Sequence, residues 1–431
     1  MNLARLNHIL IPATRDGRER VRRSAFGKLL APLGWLFGAL SSEGRALSVL
    51  LLFVGTAGLS VDTTQIHVLW SVLLGLSLGV LIARRSFAIE GARLQVRAPR
   101  RVAVGQAVTF ELALENERSD PLYDLRLSYP FLPWDGAWVT QPPSVAVVAG
   151  QGRASVVARA RFVARGEHQL DVFEASRLVP SGLALGPAIE SEVVRFLVVP
   201  RIANVARLEL PTPREGTSAI GNHVAHARGD EELLGVRPYR YGDPVRELHH
   251  RTWARLGEPH IREYRPIASS RLALVLDYDP ALVSEEAFEA LLSLTAGIVA
   301  QAATLDLDYL GLASAGVVYP MRSPRGRAAL DETLDRLAVL PRAPLVPLKK
   351  LDDDTRPWLA RATVVLVVTT CDPTRSRALA AVLSQTGAAV RVVRVVDDIG
   401  WLSRRRSVAP GEEAERVLSA RAIMAGEAVR A

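Results

Sequence analysis

Two apolar runs near the front of the chain constrain it most: "ALSVLLLFVGTAGLSV" at residues 46–61 and "IHVLWSVLLGLSLGVLIA" at residues 66–83. Only the polar tetrad "DTTQ" separates them, and neither run holds an ionisable group apart from His67. Each approaches the roughly 17–25 residues that cross hydrocarbon as a helix. Both are apolar on every face, where a helix at the surface of a soluble domain shows one apolar stripe. A cleaved signal peptide does not fit, because the first run begins far from the N-terminus and a second follows at once. The expectation is a transmembrane hairpin over residues 46–83.

Arginine placement orients it. Arg5, Arg15, Arg18, Arg20, Arg22, Arg23, Lys28 and Arg45 precede the first run, against Asp16, Glu19 and Glu43. Arg84, Arg85, Arg93 and Arg97 follow the second, and the connecting loop has no basic residue. The positive-inside rule then puts both termini in the cytoplasm, with residues 1–45 as a basic cytoplasmic segment. Within that segment "LLAPLGWLFGAL", residues 29–40, is too short to span and suits the interface. The net charge of +8 is thus explained by the bilayer before nucleic acid is invoked. Cys371, the only cysteine, excludes an intramolecular disulfide framework and agrees with a reducing compartment.

A chain of 431 residues exceeds a single core and calls for more than one domain. Residues 84–206 carry short alternating stretches such as "AVTFELALEN" and "ASVVARARFVA", separated by turn signals, which predict an antiparallel β-sandwich. Residues 266–400 alternate between strand and helix patterns. "RLALVLDYD", "LDYLGLA", "ATVVLVVTTCDP" and "AAVRVVRVVDD" read as strands; "SEEAFEALLSLTAGIVAQAAT", "RGRAALDETLDRLAVL" and "TRSRALAAVLSQTG" read as helices. That order predicts an open, largely parallel sheet with helices on both faces. Residues 401–431, with Arg404, Arg405 and Arg406, read as a peripheral tail.

The segment between, residues 207–265, contains "GVRPYRYGDPVRELHHRTWARLGEPHIREY", crowded with arginine, histidine and aromatic residues. Asp243 is expected to N-cap a helix with Pro244 at its first position, and Val245, Leu248 and Thr252 then share one face. Arg246, Glu247, His250, Arg251 and Arg255 line the other faces. Acidic residues (Asp230, Glu231, Glu232, Asp243, Glu247, Glu258, Glu263) interleave with the arginines. Mixed signs favour ion pairs and protein docking over a phosphate track, so no nucleic acid is expected. Arginine and tyrosine also dominate interface hot spots. The segment reads as part clasp and part docking surface.

Here the residues match a known pattern. Gly235, Arg237, Tyr239, Gly242, Asp243, Arg246, Leu248, Ala254, Arg255, Gly257, Ile261 and Glu263 follow G-x-R-x-Y-x-x-G-D-x-x-R-x-I-x-W-x-x-x-A-R-x-G-x-L-x-V-x-E. The segment therefore resembles the bacterial family called domain of unknown function 58. Two departures matter: His250 stands where the family has tryptophan, and Trp253, three places on, replaces a small residue. The resemblance implies a membrane hairpin, a sandwich ending in "SGLALG" and "VVPR", and a doubly wound α/β domain like von Willebrand factor type A. It also implies a bacterial inner-membrane location and a MoxR-type AAA+ ATPase as partner, in envelope assembly or stress tolerance, with no enzymatic activity. The partner-binding residues would be Arg237, Tyr239, Gly242, Asp243, Arg246, His250, Arg251, Trp253, Arg255 and Glu263.

Two other chemistries compete. A von Willebrand type A domain binds a divalent cation through D-x-S-x-S, and the equivalent here is Asp277-Tyr278-Asp279-Pro280-Ala281. Asp277 is kept, Asp279 replaces a serine, and Ala281 cannot coordinate. Thr369, Thr370 and Asp372 end another strand and could approach Asp277. Mg2+ or Ca2+ on Asp277, Asp279 and Asp372 would make the protein an adhesion-type ligand binder. The expectation is no resident cofactor, with that cation site as the rival. Five of the eight histidines (His223, His226, His249, His250, His260) fall within 38 residues. They could hold zinc for a hydrolase, but no H-E-x-x-H or C-x-x-C accompanies them. No Walker or G-x-G-x-x-G element supports nucleotide binding.

Overall fold

The computed structural model describes residues 20, 32, 34–57, 64–210, 231–243, 245–266, 271–397 and 415–431. The chain divides into two compact units, residues 1–199 and 200–431.

Among the described residues of the first unit, two helices carry the apolar runs. Helix α1 (Ser42–Ala57) starts where Ser41 Oγ accepts a hydrogen bond from Gly44 N at 3.0 Å. Helix α2 (Thr64–Ala83) is apolar throughout and continues into a 3-10 turn, Arg84–Phe87. The stretch Gln65–Phe87 is long and apolar enough to cross a membrane and is almost nowhere buried. The first helix has 16 described residues; residues 58–61 of the first apolar run and Asp62 and Thr63 of the tetrad lie outside the described residues. Helix Glu285–Thr304 in the second unit passes the same length and composition test, yet it is mostly buried and is a core helix.

The strands of this unit are β1 (Ala92–Arg97), β2 (Arg101–Ala103), β3 (Ala107–Asn116), β4 (Leu122–Ser128), β5 (Gly136–Trp138), β6 (Ser144–Val148), β7 (Arg153–Phe162), β8 (Gly166–Leu170), β9 (Glu174–Arg177), β10 (Ile189–Glu190) and β11 (Val194–Val199). They form sheets ordered β1-β3-β7-β5, β10-β9-β4-β6 and β2-β11-β8. Pairing is antiparallel except for β2 with β11. Strand β3 turns Val108, Phe110, Leu112 and Leu114 inward, and all three sheets contribute to that one core. Phe110 sits at its centre, 5.7–5.9 Å from the rings of Trp138, Phe173 and Phe196. The sandwich-like arrangement follows from the period-two pattern.

A short loop joins this sandwich to the helices. Residues 178–186 run "LVPSGLALG", and Ser41 N donates to Leu183 O (3.1 Å) while Leu185 N donates to Ala39 O (2.9 Å). Arg84 Nε donates to Leu185 O at 2.9 Å. A Cβ on Gly44 would lie 1.9 Å from Leu183 O, so this backbone approach requires glycine.

The second unit contains β12 (Val205–Arg207), β13 (Glu231–Pro238), α3 (His250–Leu256), β14 (His260–Pro266), β15 (Arg271–Asp277), α4 (Glu285–Thr304), β16 (Asp308–Ser314), β17 (Val317–Pro320), α5 (Gly326–Val339), α6 (Leu348–Leu359), β18 (Val364–Thr369), α7 (Pro373–Ser384), β19 (Ala389–Val396), β20 (Glu415–Ser419), α8 (Ala420–Ala425) and β21 (Val429–Arg430). A six-stranded sheet runs β17-β16-β15-β18-β19-β20, parallel except for the edge strand β17. Strands β15 and β18 are apolar at nearly every position because both of their faces are covered. Ala273, Val275, Val365 and Val367 pack with Leu351 and Leu359 of α6 and Leu379 and Leu383 of α7. The alternate strand residues face the other way, toward α4, whose N-cap Ser284 accepts from Ala287 N at 3.0 Å.

Two boundaries differ from expectation. Residues 200–206 belong to the second unit, because β12 pairs in parallel with β21. The segment read as a peripheral tail is integral: β20 extends the sheet beside β19, with Arg394 Nε 2.7 Å from Glu415 Oε1. Glu209 accepts hydrogen bonds from Arg391 and Arg416, and its backbone N–H donates to Ala431 O at 2.7 Å. The strand "ERVLS" is too short for its period to stand out by itself.

Candidate functional site

The arginine-rich segment folds as a two-stranded ribbon, β13 against β14, with Arg237 opposite Ile261 and Pro238 opposite His260. Ile261 is buried, and Leu248 bridges to it. Tyr239 N donates to Pro259 O (2.9 Å) and His249 N to His260 O (2.8 Å), closing the connection onto the ribbon.

Asp243 does not cap a helix. Its carboxylate accepts two parallel hydrogen bonds from Arg237, Nη1 to Oδ2 at 2.7 Å and Nη2 to Oδ1 at 2.9 Å, and a third from Arg240 N at 2.8 Å. The bidentate guanidinium, reinforced by the Arg240 backbone N–H, holds the Asp243 carboxyl down at about 2. Gly242 makes the turn at φ +104°, a region disfavoured for any side chain. Pro244 lies outside the described residues. A 3-10 turn, Val245–Glu247, follows, and the helix starts only at His250, capped by the His249 ring, which accepts from Thr252 N at 3.3 Å. Val245 is exposed and does not share a buried face with Leu248 and Thr252. The nearby arginine won Asp243 from the helix because a charge-assisted pair outweighs a cap.

The remaining predicted partner-binding residues cluster on one ribbon end. Tyr239 is half-buried, whereas Arg246, His250, Arg251, Trp253 and Arg255 are exposed, as is the neighbouring Tyr241. His250 and Trp253, the two positions that depart from the family pattern, stack with ring centroids 6.4 Å apart. Among the described residues Arg246 pairs with Glu247, at 3.5 Å. Arg251 and Arg255 form no ion pair among the described residues. Glu263 sits opposite Gly235 in the ribbon, and its side chain lies outside the described residues.

The predicted cation residues are not arranged to hold a metal. Both Asp277 oxygens accept from Arg375, Nε to Oδ2 at 2.9 Å and Nη2 to Oδ1 at 2.8 Å, and Arg375 also donates to Val346 O. Asp279 Oδ1 accepts from Ala281 N at 2.9 Å, fixing its own turn. Asp372 precedes α7 with an exposed side chain, and its carbonyl accepts from Ser376. Thr370 Oγ1 is buried and unpartnered, but a neutral hydroxyl does not supply the carboxylate charge on which Mg2+ and Ca2+ sites rely, and the Asp277 carboxylate is already held by Arg375. No group of three His, Cys, Asp or Glu residues suited to a metal exists among the described residues. Asp277, Asp279 and Asp372 therefore do not fit the cation.

The histidines are dispersed in role. His223 and His226 lie outside the described residues; His249 caps α3, His250 stacks on Trp253, and His260 Nδ1 lies 2.9 Å from Glu258 O. Cys371 is buried, and burial, then the Asp277 charge, pushes its thiol up to about 12, which leaves no thiolate nucleophile near neutrality. The residue missed in the sequence is Arg375. It stands three residues beyond Asp372, in the first turn of the helix leaving the edge that carries Asp277, where a counter-ion could have been sought.

No protein-family model and no curated protein matches this chain. Among solved structures, native alpha-2-macroglobulin from Escherichia coli is 17% identical over 26% of this chain and 7% of its own, with a TM-score of 0.21. The crystal structure of that protein from domain MG7 to the C-terminus is 16% identical over 26% of this chain and 17% of its own, TM-score 0.21. A CARDB domain from Pyrococcus furiosus is 9% identical over 25% of this chain and 87% of its own, TM-score 0.17. This chain thus spans well under two thirds of the macroglobulin structures, and likenesses so slight carry no argument about its role.

Proposed function

We propose that this chain is a membrane-anchored, non-enzymatic scaffold of the domain of unknown function 58 family that docks a MoxR-type AAA+ ATPase. In this reading α1 and α2 form the hairpin in a bacterial inner membrane, both termini are cytoplasmic, and the six-stranded sheet is a doubly wound relative of von Willebrand factor type A. One observation carries the docking site: Arg251 and Arg255, four apart on α3, are exposed without an ion-pair partner among the described residues. The ribbon under them is pre-organised by the Arg237–Asp243 pair, which lowers the ordering cost of binding. Trp253 and Tyr241 supply exposed aromatic surface beside them. A divalent-cation-dependent adhesion role through Asp277 is disfavoured by Arg375, which occupies both carboxylate oxygens. The test is reconstitution: full-length protein in detergent is mixed with a purified MoxR-type ATPase and resolved by size. A complex of the two is expected, and co-migration of neither with the other refutes the docking role.

A further inference from the structure

A cleft of about 490 Å³ runs along one face of α2, lined by Gly75, Leu76, Gly79, Val80, Ala83 and Phe87, and is walled at one end by residues 179–181 of the sandwich loop. From Gly75 to Ala83 the helix rises about 12 Å, close to the depth of one leaflet of a roughly 30 Å hydrocarbon core. The inner end is firmly built, with Val80 packed against Val179 and Ala184 beside Phe87 and Leu183. The outer end is open: a Cβ added at Gly75 or Gly79 would meet nothing within 4 Å.

Charge crowds the built end. Arg84 and Arg85 lie in the turn between the lining residues Ala83 and Phe87, and the Arg177 guanidinium sits 5.5 Å from the Phe87 ring centroid. Arg84 uses Nε on Leu185 O and lies over the Trp35 ring. None of these three arginines pairs with a carboxylate among the described residues. Trp35 and Phe37 are exposed beside Arg84 and Arg45, an aromatic–cationic layer of the kind found at headgroup depth. An apolar groove about one leaflet long, ending at three guanidiniums without a carboxylate partner among the described residues, has the chemistry to take a lipid with a negative headgroup.

Resting on the membrane reading above, we propose that this cleft holds an acyl chain of one anionic phospholipid, whose phosphate is bound by Arg84 and Arg85 with Arg177 beside them. The lipid would lie along α2 against the 179–181 loop, and so fasten the sandwich to the membrane surface.

The test uses full-length protein extracted in mild detergent, offered equal amounts of phosphatidylglycerol and phosphatidylcholine, and weighed by native mass spectrometry. Flotation with vesicles of each lipid runs in parallel. Wild type should float with both and retain phosphatidylglycerol over phosphatidylcholine by roughly tenfold or more, the preference that two surface arginines provide. Arg84→Gln with Arg85→Gln should lose the preference and still float. Gly79→Leu, which fills the cleft at a position with open space, should lose retained lipid of either kind and still float. Equal retention of both lipids by wild type, or unchanged retention in Gly79→Leu, overturns the assignment. So does a dimer that Gly79→Leu dissolves while lipid retention persists, because that face then belongs to a second copy. Wild type that fails to float at all overturns the membrane reading itself.

Discussion

Arg375 and Asp277 form a buried bidentate pair at the carboxyl edge of the six-stranded sheet, with side chains 16% and 3% exposed. The guanidinium does there what a divalent cation would do: it neutralises a carboxylate that burial would otherwise make costly. The carboxylate in turn raises the affinity of Arg375 for its proton. Because both oxygens are engaged, wild type is expected to show no micromolar Mg2+ or Ca2+ binding by calorimetry. Arg375→Met should leave a buried charge unpaired and cost about 3–5 kcal/mol of stability. Millimolar Mg2+ should raise the thermal midpoint of that variant and leave wild type unmoved. Tight cation binding by wild type that vanishes in Asp277→Ala would restore the adhesion-type reading.

The Arg237–Asp243 pair gives the ribbon a pH signature. The Asp243 carboxyl is depressed to about 2, below the roughly 3.9 of a free aspartate. A depressed acid contributes stability that is fully present above its unfolded value and is lost as pH falls through the folded one. Hydrogen exchange across residues 236–248, corrected for intrinsic rates, should therefore stay protected from pH 7 down to about 4 and open between about 4 and 2. Asp243→Asn should be open throughout. Opening near neutral pH in wild type would mean that the clasp does not hold in solution.

Much of this architecture is legible in the residues, and the failures share a cause. Strands β15 and β18 announce themselves through unbroken apolar runs, and α4 through its length and its serine cap. Helix α6 escapes notice because Asp352–Asp354 and Pro357 disguise it, although Leu348, Leu351, Thr355 and Leu359 keep helical spacing. The choices of Asp243 and Asp277 are not local: each takes an arginine, Arg237 six residues earlier and Arg375 ninety-eight later, over the role its neighbours suggest. A motif predicts that a carboxylate matters at such a position. Which cation it meets depends on a chain path that sequence spacing does not encode.

Topology is testable independently of any partner. Arginines flank both ends of the apolar pair and are missing from the loop between. A reporter enzyme active only in the cytoplasm, fused after Ala431, should be active, and the same reporter inserted at residues 62–65 should be silent. The reverse pattern would place the sandwich outside the cell membrane and remove the basis for a cytoplasmic ATPase partner.

The docking proposal rests on two arginines that the ribbon does not need. Arg251 and Arg255 are exposed on α3 and pair with no carboxylate among the described residues, so removing them leaves no buried charge behind. Exposed substitutions of this kind move stability by about 0.5 kcal/mol or less. An interface arginine, by contrast, can contribute upwards of about 2 kcal/mol of binding, more than tenfold in affinity. Arg251→Ala with Arg255→Ala should therefore keep the wild-type thermal midpoint and lose the ATPase in a pull-down, with weakening of at least tenfold in a titration. Asp243→Ala should weaken binding too, but by loosening the ribbon, and its hydrogen exchange should show this where the arginine variant does not. If the double variant folds and binds as wild type does, the ATPase docks elsewhere and α3 is only a solvated helix.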